Sequence, residues 1–361
     1  MGIMANRHTI QGKLSRRDLL VGALAGGALG TAGLYLRERL QRREPMAATF
    51  IAKVSSYEVD PAPWIEEGLR SLGIGPPAVR GRSILLKPNL IETVAGAQHM
   101  CTHPQVVRAT AETWLRLGAK RVIVGEGSGH CRDMHRVLEE TGLAQVLREY
   151  KIAFVDLNND ELVIRKNAYG LTGLRSLTFP AVVDQVDWIV SLPKMKTHHW
   201  AGVTLSMKNL LGLMPGLVYG WPKNVFHWAG IPQSILDINA TLRPHFAIVD
   251  GIVGMEGDGP ILGTPKNAGT LVIGVNPAAV DATAARIMGV DPLRVPYLRA
   301  ARGRLGTVSV ERIQQRGEAL AAVQTEFELL DHIPAQQNLR PASRAAMSPR
   351  SDAPPGRPRS A

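Results

Sequence analysis

Short runs of β-branched and aliphatic residues alternate along the chain with longer stretches of helical period. Phe50–Val54, Ser83–Leu86, Arg121–Val124, Ala153–Asp156, Trp188–Leu192, Phe246–Asp250 and Leu271–Val275 have strand length and strand composition. Pro104–Leu117, Ser234–Leu242 and Ala278–Met288 read as helices. The first has Pro104 in its opening turn, where the missing N–H is no loss. Gly118 lies just past its end, where glycine tolerates the left-handed backbone that closes a helix. Strand and helix in alternation predict an α/β fold, a mainly parallel sheet with helices on both faces. The chain has no internal repeat.

In open α/β sheets the ligand crevice lies beyond the carboxyl ends of the strands, so the residues just past each strand matter most. Ser83–Leu86 runs into Lys87-Pro88-Asn89, and Arg121–Val124 into Gly125-Glu126-Gly127-Ser128-Gly129. Trp188–Leu192 runs into Pro193-Lys194-Met195-Lys196-Thr197-His198-His199. Phe246–Asp250 runs into Gly251 and then Glu256-Gly257-Asp258-Gly259-Pro260. Ordinary turns are polar too, but rarely gather lysine, histidine and acid at one edge. The ligand site is expected there.

Four ammonium groups, Lys87, Lys194, Lys196 and Lys208, fall near this edge. Their charges repel unless an anion or carboxylates sit among them. They can cradle a phosphate or carboxylate, with Asn89, Ser128, Thr197 and Asn209 as neutral partners, or each can be solvated or paired separately. Glu126, Asp250 and Asp258 can hold a divalent metal, and Glu126 or Asp258 can instead act as a general base beside a lysine of lowered pKa. Asp258, between Gly257 and Gly259, can equally cap its own turn. His198 is the best general acid–base candidate, because imidazole titrates near neutrality. His103 is a further metal-ligand candidate. Cys101 and Cys131 lie in two His/Cys clusters, which leaves a disulfide, a soft-metal site and unpaired thiols all open. Gly125-x-Gly127-x-Gly129 does not have the G-x-G-x-x-G spacing, so no Rossmann-type cofactor is assigned.

Composition narrows the class. The chain has 361 residues, 45% of them apolar and 20% charged, enough for a real core. The net charge of +11 lies mostly at the ends. Residues 1–45 carry eight Arg/Lys against three acids and residues 332–361 five Arg against Asp352, leaving +2 for the body between. A near-neutral body with basic tails argues against a nucleic-acid footprint.

At the N-terminus Ser15-Arg16-Arg17-Asp18-Leu19-Leu20 opens an uncharged stretch from Leu19 to Leu36, rich in Gly and Ala, followed by Arg37, Arg39, Arg42 and Arg43. This resembles a twin-arginine (Tat) export signal, with a plain membrane anchor as the alternative. It implies the Tat translocase as a partner and a periplasmic location, either free or anchored to the membrane through an uncleaved N-terminus. The expected organisation is a signal or anchor at 1–45, an α/β domain at 46–333 and a disordered basic Pro/Ser/Arg tail at 334–361.

Taken in order, Leu86-Lys87-Pro88-Asn89, Thr102-His103-Pro104, Glu126-Gly127-Ser128, Leu192-Pro193-Lys194-Met195-Lys196-Thr197-His198 and Thr204-Leu205-Ser206-Met207-Lys208-Asn209-Leu210-Leu211-Gly212 resemble the family called domain of unknown function 362. Asp250-Gly251-Ile252, Gly257-Asp258-Gly259-Pro260 and Asn276-Pro277-Ala278-Ala279-Val280-Asp281-Ala282 extend the resemblance across residues 50–290. The family implies an architecture more than a reaction. Many relatives carry ferredoxin-type cysteine motifs; this chain has no C-x-x-C pair, so no such iron–sulfur cluster is expected. The expectation is an exported α/β enzyme that binds an anionic small molecule, with a divalent metal as candidate cofactor. A non-catalytic periplasmic ligand- or cofactor-binding protein, or a membrane-tethered redox accessory, is the alternative.

Overall fold

The computed structural model describes residues 44–92, 95–129 and 133–341. The Arg16–Arg17 pair, His130, Cys131 and residues 342–361 lie outside the described residues, and with them the export signal, the cysteine pairing and most of the basic tail.

The strands are β1 (Ala47–Lys53), β2 (Ser83–Pro88), β3 (Arg121–Glu126), β4 (Ala153–Asp156), β5 (Leu162–Lys166), β6 (Ser176–Pro180), β7 (Trp188–Leu192), β8 (Lys194–His198), β9 (Gly202–Thr204), β10 (Phe246–Glu256), β11 (Thr264–Gly274) and β12 (Ile313–Gly317). Among the described residues the main sheet runs β12-β1-β11-β10-β7-β2-β3-β4, with β8 on β10 and β9 on β8. A separate hairpin is formed by β5 and β6. The run β10-β7-β2-β3-β4 is parallel; β11 is antiparallel to both of its neighbours. Each strand expected from the sequence overlaps an observed one: Ala153–Asp156 and Trp188–Leu192 coincide with β4 and β7, whereas β10 runs six residues past the expected end and β11 begins seven residues before the expected start.

The strand pleat sorts side chains onto two buried faces. Phe50, Ala52, Ile84, Leu86, Ile248, Leu271 and Ile273 pack on one face with Ile65 and Leu69 of α1 (Ala62–Ser71) and Val107 and Trp114 of α2 (Pro104–Arg116). Their alternates Ile51, Ala247, Val249 and Val272 pack on the other. There they meet the short helix α3 (Ser206–Asn209), α4 (Ile231–Leu242) and α5 (Pro277–Ile287). Each fully buried aliphatic side chain contributes about 1.5–3 kcal/mol, so a strand slipped by one residue would forfeit both faces at once.

Three local features build the edge. Pro193 interrupts the chain between β7 and β8, and β10 spans both: Phe246 and Ala247 pair with β7, Asp250 and Met255 with β8. Lys194–His198, expected as a loop, is therefore a strand whose five residues are all buried. On α5, Asp281 accepts the backbone N–H groups of Ser206 and Met207 at 2.7 and 2.9 Å, tying down the start of α3. Burial raises this carboxyl to about 7. Finally, Thr102 Oγ1 donates to Leu192 O at 2.6 Å and accepts from Asn89 N at 2.8 Å, fastening the end of β2 to the end of β7.

The folded chain reaches further than the expected boundary at 333. Leu339 is buried in the core, and Gln336 donates to Gly257 O at 2.9 Å. Residues 334–341 are packed against the domain because these two side chains find partners there.

Candidate functional site

The carboxyl ends of β2 and β3, the middle of β10 and the start of β8 bring the expected lysines and acids together in pairs. Lys87 Nζ lies 2.7 Å from the Glu126 carboxylate and donates to Pro88 O at 2.7 Å and Asn209 Oδ1 at 3.2 Å. Glu126 also accepts from Leu90 N and Gly127 N, both at 2.8 Å. Asn209 returns hydrogen bonds to Lys87 O and Ser191 Oγ. Gly212 passes so close that a Cβ there would lie 2.4 Å from both Lys87 Nζ and Glu126 Oε1. Only glycine fits.

The second pair is Lys194 and Asp250, 2.6 Å apart and fully buried. Tyr57 hydroxyl donates to Asp250 at 2.8 Å and accepts from Lys194 at 2.7 Å. His103 stacks on the Tyr57 ring at 3.7 Å, and its backbone N–H donates to Asp250. Its Nδ1 caps α2 by accepting from Gln105 N; burial pulls its pKa down to about 4. Glu126 and Asp250 are thus each held by a lysine. Asp258 lies half-buried in its turn, where its carbonyl accepts from Leu262 N. The four residues expected to hold a divalent metal do not converge: among the described residues no three His, Cys, Asp or Glu side chains gather around one point.

A cavity of about 360 Å³ opens beside the first pair. Lys87, Asn89, Glu126, His198, His199, Lys208, Asn209, Lys223 and His227 supply its polar wall, with Thr204. Leu90, Ile91, Trp200, Leu211, Pro222 and Ile261 are among its apolar lining. Among the described residues Glu126 is the one carboxylate lining it, and Lys87 already occupies that group. Lys223 Nζ donates to Gly127 O at 2.7 Å and Gly212 O at 3.1 Å, and burial lowers its pKa to about 7. Lys208 has no hydrogen-bond or ion-pair partner among the described residues. Burial, and secondarily the Lys87 charge, lower it to about 8. Asn89 Oδ1 and Thr204 Oγ1 are buried in the same wall without partners among the described residues.

The other expected ligand groups lie behind this wall. Lys196 Nζ donates to Met100 O at 2.7 Å and Pro260 O at 3.4 Å, and burial lowers it to about 7. Thr197 and Ser128 spend their hydroxyls on Gly257 O and Ile91 O. His198 accepts Trp200 N and Ala201 N at Nδ1, at 2.9 and 3.3 Å, so its proton sits on Nε2. Burial and then the neighbouring cations hold it far below the usual imidazole range. The proton-shuttle role expected for His198 needs titration near neutrality, which this environment removes; it is a neutral hydrogen-bond donor. Cys101 is buried, with its Sγ 3.3 Å from Glu92 O, and burial raises its pKa.

The sequence did not single out Lys223 or Tyr57. Lys223 enters the cavity from a left-handed backbone position, φ 68°, after Trp221-Pro222. Only the Gly220-x-Pro222 setting marks it off from a surface lysine.

The described residues thus define an α/β protein with a lysine-walled crevice at the carboxyl edge of its sheet. Residues 84–286 match the family described as Domain of unknown function (DUF362), and the chain belongs to that family. The Thylakoid-associated protein sll1697 of Synechocystis sp. is 28% identical over 241 residues, covering 65% of this chain and 71% of the relative. A solved protein from Thermotoga maritima is 18% identical, with a TM-score of 0.38 over 61% of this chain and 57% of that one. The lactate racemase apoprotein from Thermoanaerobacterium thermosaccharolyticum is 11% identical, with a TM-score of 0.38 over 60% and 52%. The chain spans little more than half the length of either solved structure, and a likeness of this extent carries no functional argument. Among the described residues no helix is long and apolar enough to cross a membrane.

Proposed function

We propose that the crevice binds a small molecule bearing a carboxylate or phosphate group. One observation carries the reading: Lys87, Lys208 and Lys223 line a single cavity, and the one carboxylate among its described lining residues, Glu126, is already taken. Buried ammonium groups without counter-charge are costly. An incoming anion relieves that cost and drives their protonation. The unpartnered Asn89 and Thr204 atoms offer neutral contacts, and the Trp200–Leu211 side of the wall suits an apolar remainder. Whether the bound molecule is turned over separates an enzyme from a binding protein, and the lysines serve either.

Calorimetric titration with inorganic phosphate, acetate and succinate at pH 7 tests this. At least one should bind, with affinity reduced about tenfold by Lys223→Met, the loss of one charge-assisted contact. Failure of all three to bind would reject the reading. The export proposal rests separately on the Arg16–Arg17 signal. Replacing both with lysine should leave the protein in the cytoplasm; continued export would exclude the Tat route.

A further inference from the structure

We infer that Lys208 is a carbonyl-reactive amine, and that the crevice takes a 2-oxo carboxylate whose carbonyl carbon condenses with Lys208 Nζ while its carboxylate lies against Lys223. The inference rests on the anion-binding reading above and specifies its ligand.

The lysines of the crevice are not equivalent. Lys87 is anchored by Glu126, Pro88 O and Asn209, and Lys223 by two backbone carbonyls. An ammonium anchored in this way keeps its direction, which suits it to hold a carboxylate. Lys196 is held by two carbonyls behind the cavity wall. Lys208 lines the cavity and meets no acceptor among the described residues. Its neighbours are cations or neutral: Lys87 and Lys196 are close enough for their charges to be felt, and His198 is neutral. Glu126, the nearby acid, is bound to Lys87. A desolvated amine beside another cation is the arrangement that frees a lysine lone pair for attack on a carbonyl. It is also the environment that lowers Lys208 to about 8, so a useful fraction is neutral at physiological pH. Its backbone is held in place, because Asp281 fixes the start of α3 two residues earlier.

The step balances without a further reactant. The neutral amine adds to the carbonyl carbon, the carbonyl oxygen takes up protons and leaves as water, and a C=N bond replaces the C=O. Starting from the ammonium, the products are an iminium and one water with no net change in protons. His198, with its proton on Nε2, supplies a neutral hydrogen bond to the carbonyl oxygen as charge builds there.

The test uses the full-length chain with pyruvate as probe. Sodium borohydride reduces any imine to a stable secondary amine, which is read by intact mass and peptide mapping; thermal shifts with pyruvate and acetate are measured in parallel. The expected result is one adduct per chain, on Lys208, lost in Lys208→Met and in Lys208→Arg. In Lys223→Met about tenfold more pyruvate should be needed for half-labelling. The arginine variant keeps the charge, so the experiment survives if the methionine variant fails to fold, and mapping of the wild-type chain needs neither. Stabilisation by both acids without an adduct, or labelling scattered over surface lysines, would overturn the imine and leave anion binding standing. No stabilisation and no adduct would overturn the imine, and, if phosphate and succinate also fail to bind, the anion-binding reading with it.

Discussion

Lys87, at the end of β2, and Glu126, at the end of the adjacent β3, form an ion pair at 2.7 Å with both side chains out of solvent. The pair is a structural wall of the crevice, and it removes the only carboxylate among the described lining residues from competition with a ligand. Breaking a buried pair from one side leaves an uncompensated charge, at a cost of about 3–5 kcal/mol. Lys87→Met and Glu126→Leu should each lower the urea midpoint accordingly. The double variant should recover part of the loss, because it removes both charges together. Equal, additive losses would show that the pair is not coupled.

Thr102 joins the ends of β2 and β7 through one hydroxyl. Thr102→Val keeps the shape and strips Asn89 N and Leu192 O of that partner, about 1–3 kcal/mol for each group left unsatisfied. Denaturant unfolding should register this loss, together with weaker anion binding as Asn89 loosens in the cavity wall. Unchanged stability would mean that water replaces the hydroxyl.

Asp281 reaches α3 from α5 and so fixes Lys208 and Asn209 indirectly. Asp281→Ala should leave the sheet intact by far-ultraviolet circular dichroism yet weaken anion binding at least tenfold. Full binding in this variant would separate the start of α3 from the site.

Stability should depend on pH in a direction set by the lysines. Lys196 and Lys223 are held at about 7 and Lys208 at about 8, against an ordinary 10.5. Between those values the unfolded chain binds more protons than the folded one, so these groups make the ligand-free protein more stable as pH rises from about 7 towards 10.5. Asp281 opposes them at lower pH: raised to about 7, it favours the fold most in acid and loses that contribution as pH rises from about 4 through 7. Melting temperatures across pH 7–10 should climb in the wild type and climb less in Lys208→Met.

Much of the fold was legible because strands buried on both faces read as short unbroken apolar runs, Phe50–Ala52, Ile84–Leu86 and Leu271–Ile273, and the helices carry their own stop signals. The rule that ligand crevices lie beyond the carboxyl ends of strands led to the lysines and acids that the fold does bring together. The pairing within that edge was not legible: Lys87 with Glu126 and Lys194 with Asp250 are set by the order of strands in space. Lys194–His198 reads as a loop because Pro193 precedes it and only Met195 among its five residues is apolar, yet that polarity is satisfied internally. Lys223 is not legible because its place depends on a left-handed turn, and the low titration of His198 is set first by burial, which the sequence does not print, and then by Lys208, His199, Lys196 and His227.

If an anion completes the charge of the Lys208–Lys223 crevice, its arrival must change the protonation of those lysines. Calorimetric titration with succinate at pH 7.5, run in two buffers of different ionisation enthalpy, reads proton exchange directly. Binding should take up protons, because Lys208 and Lys223 are partly neutral before the anion arrives, and the observed heat should therefore differ between buffers. Binding with the same heat in both buffers would contradict this.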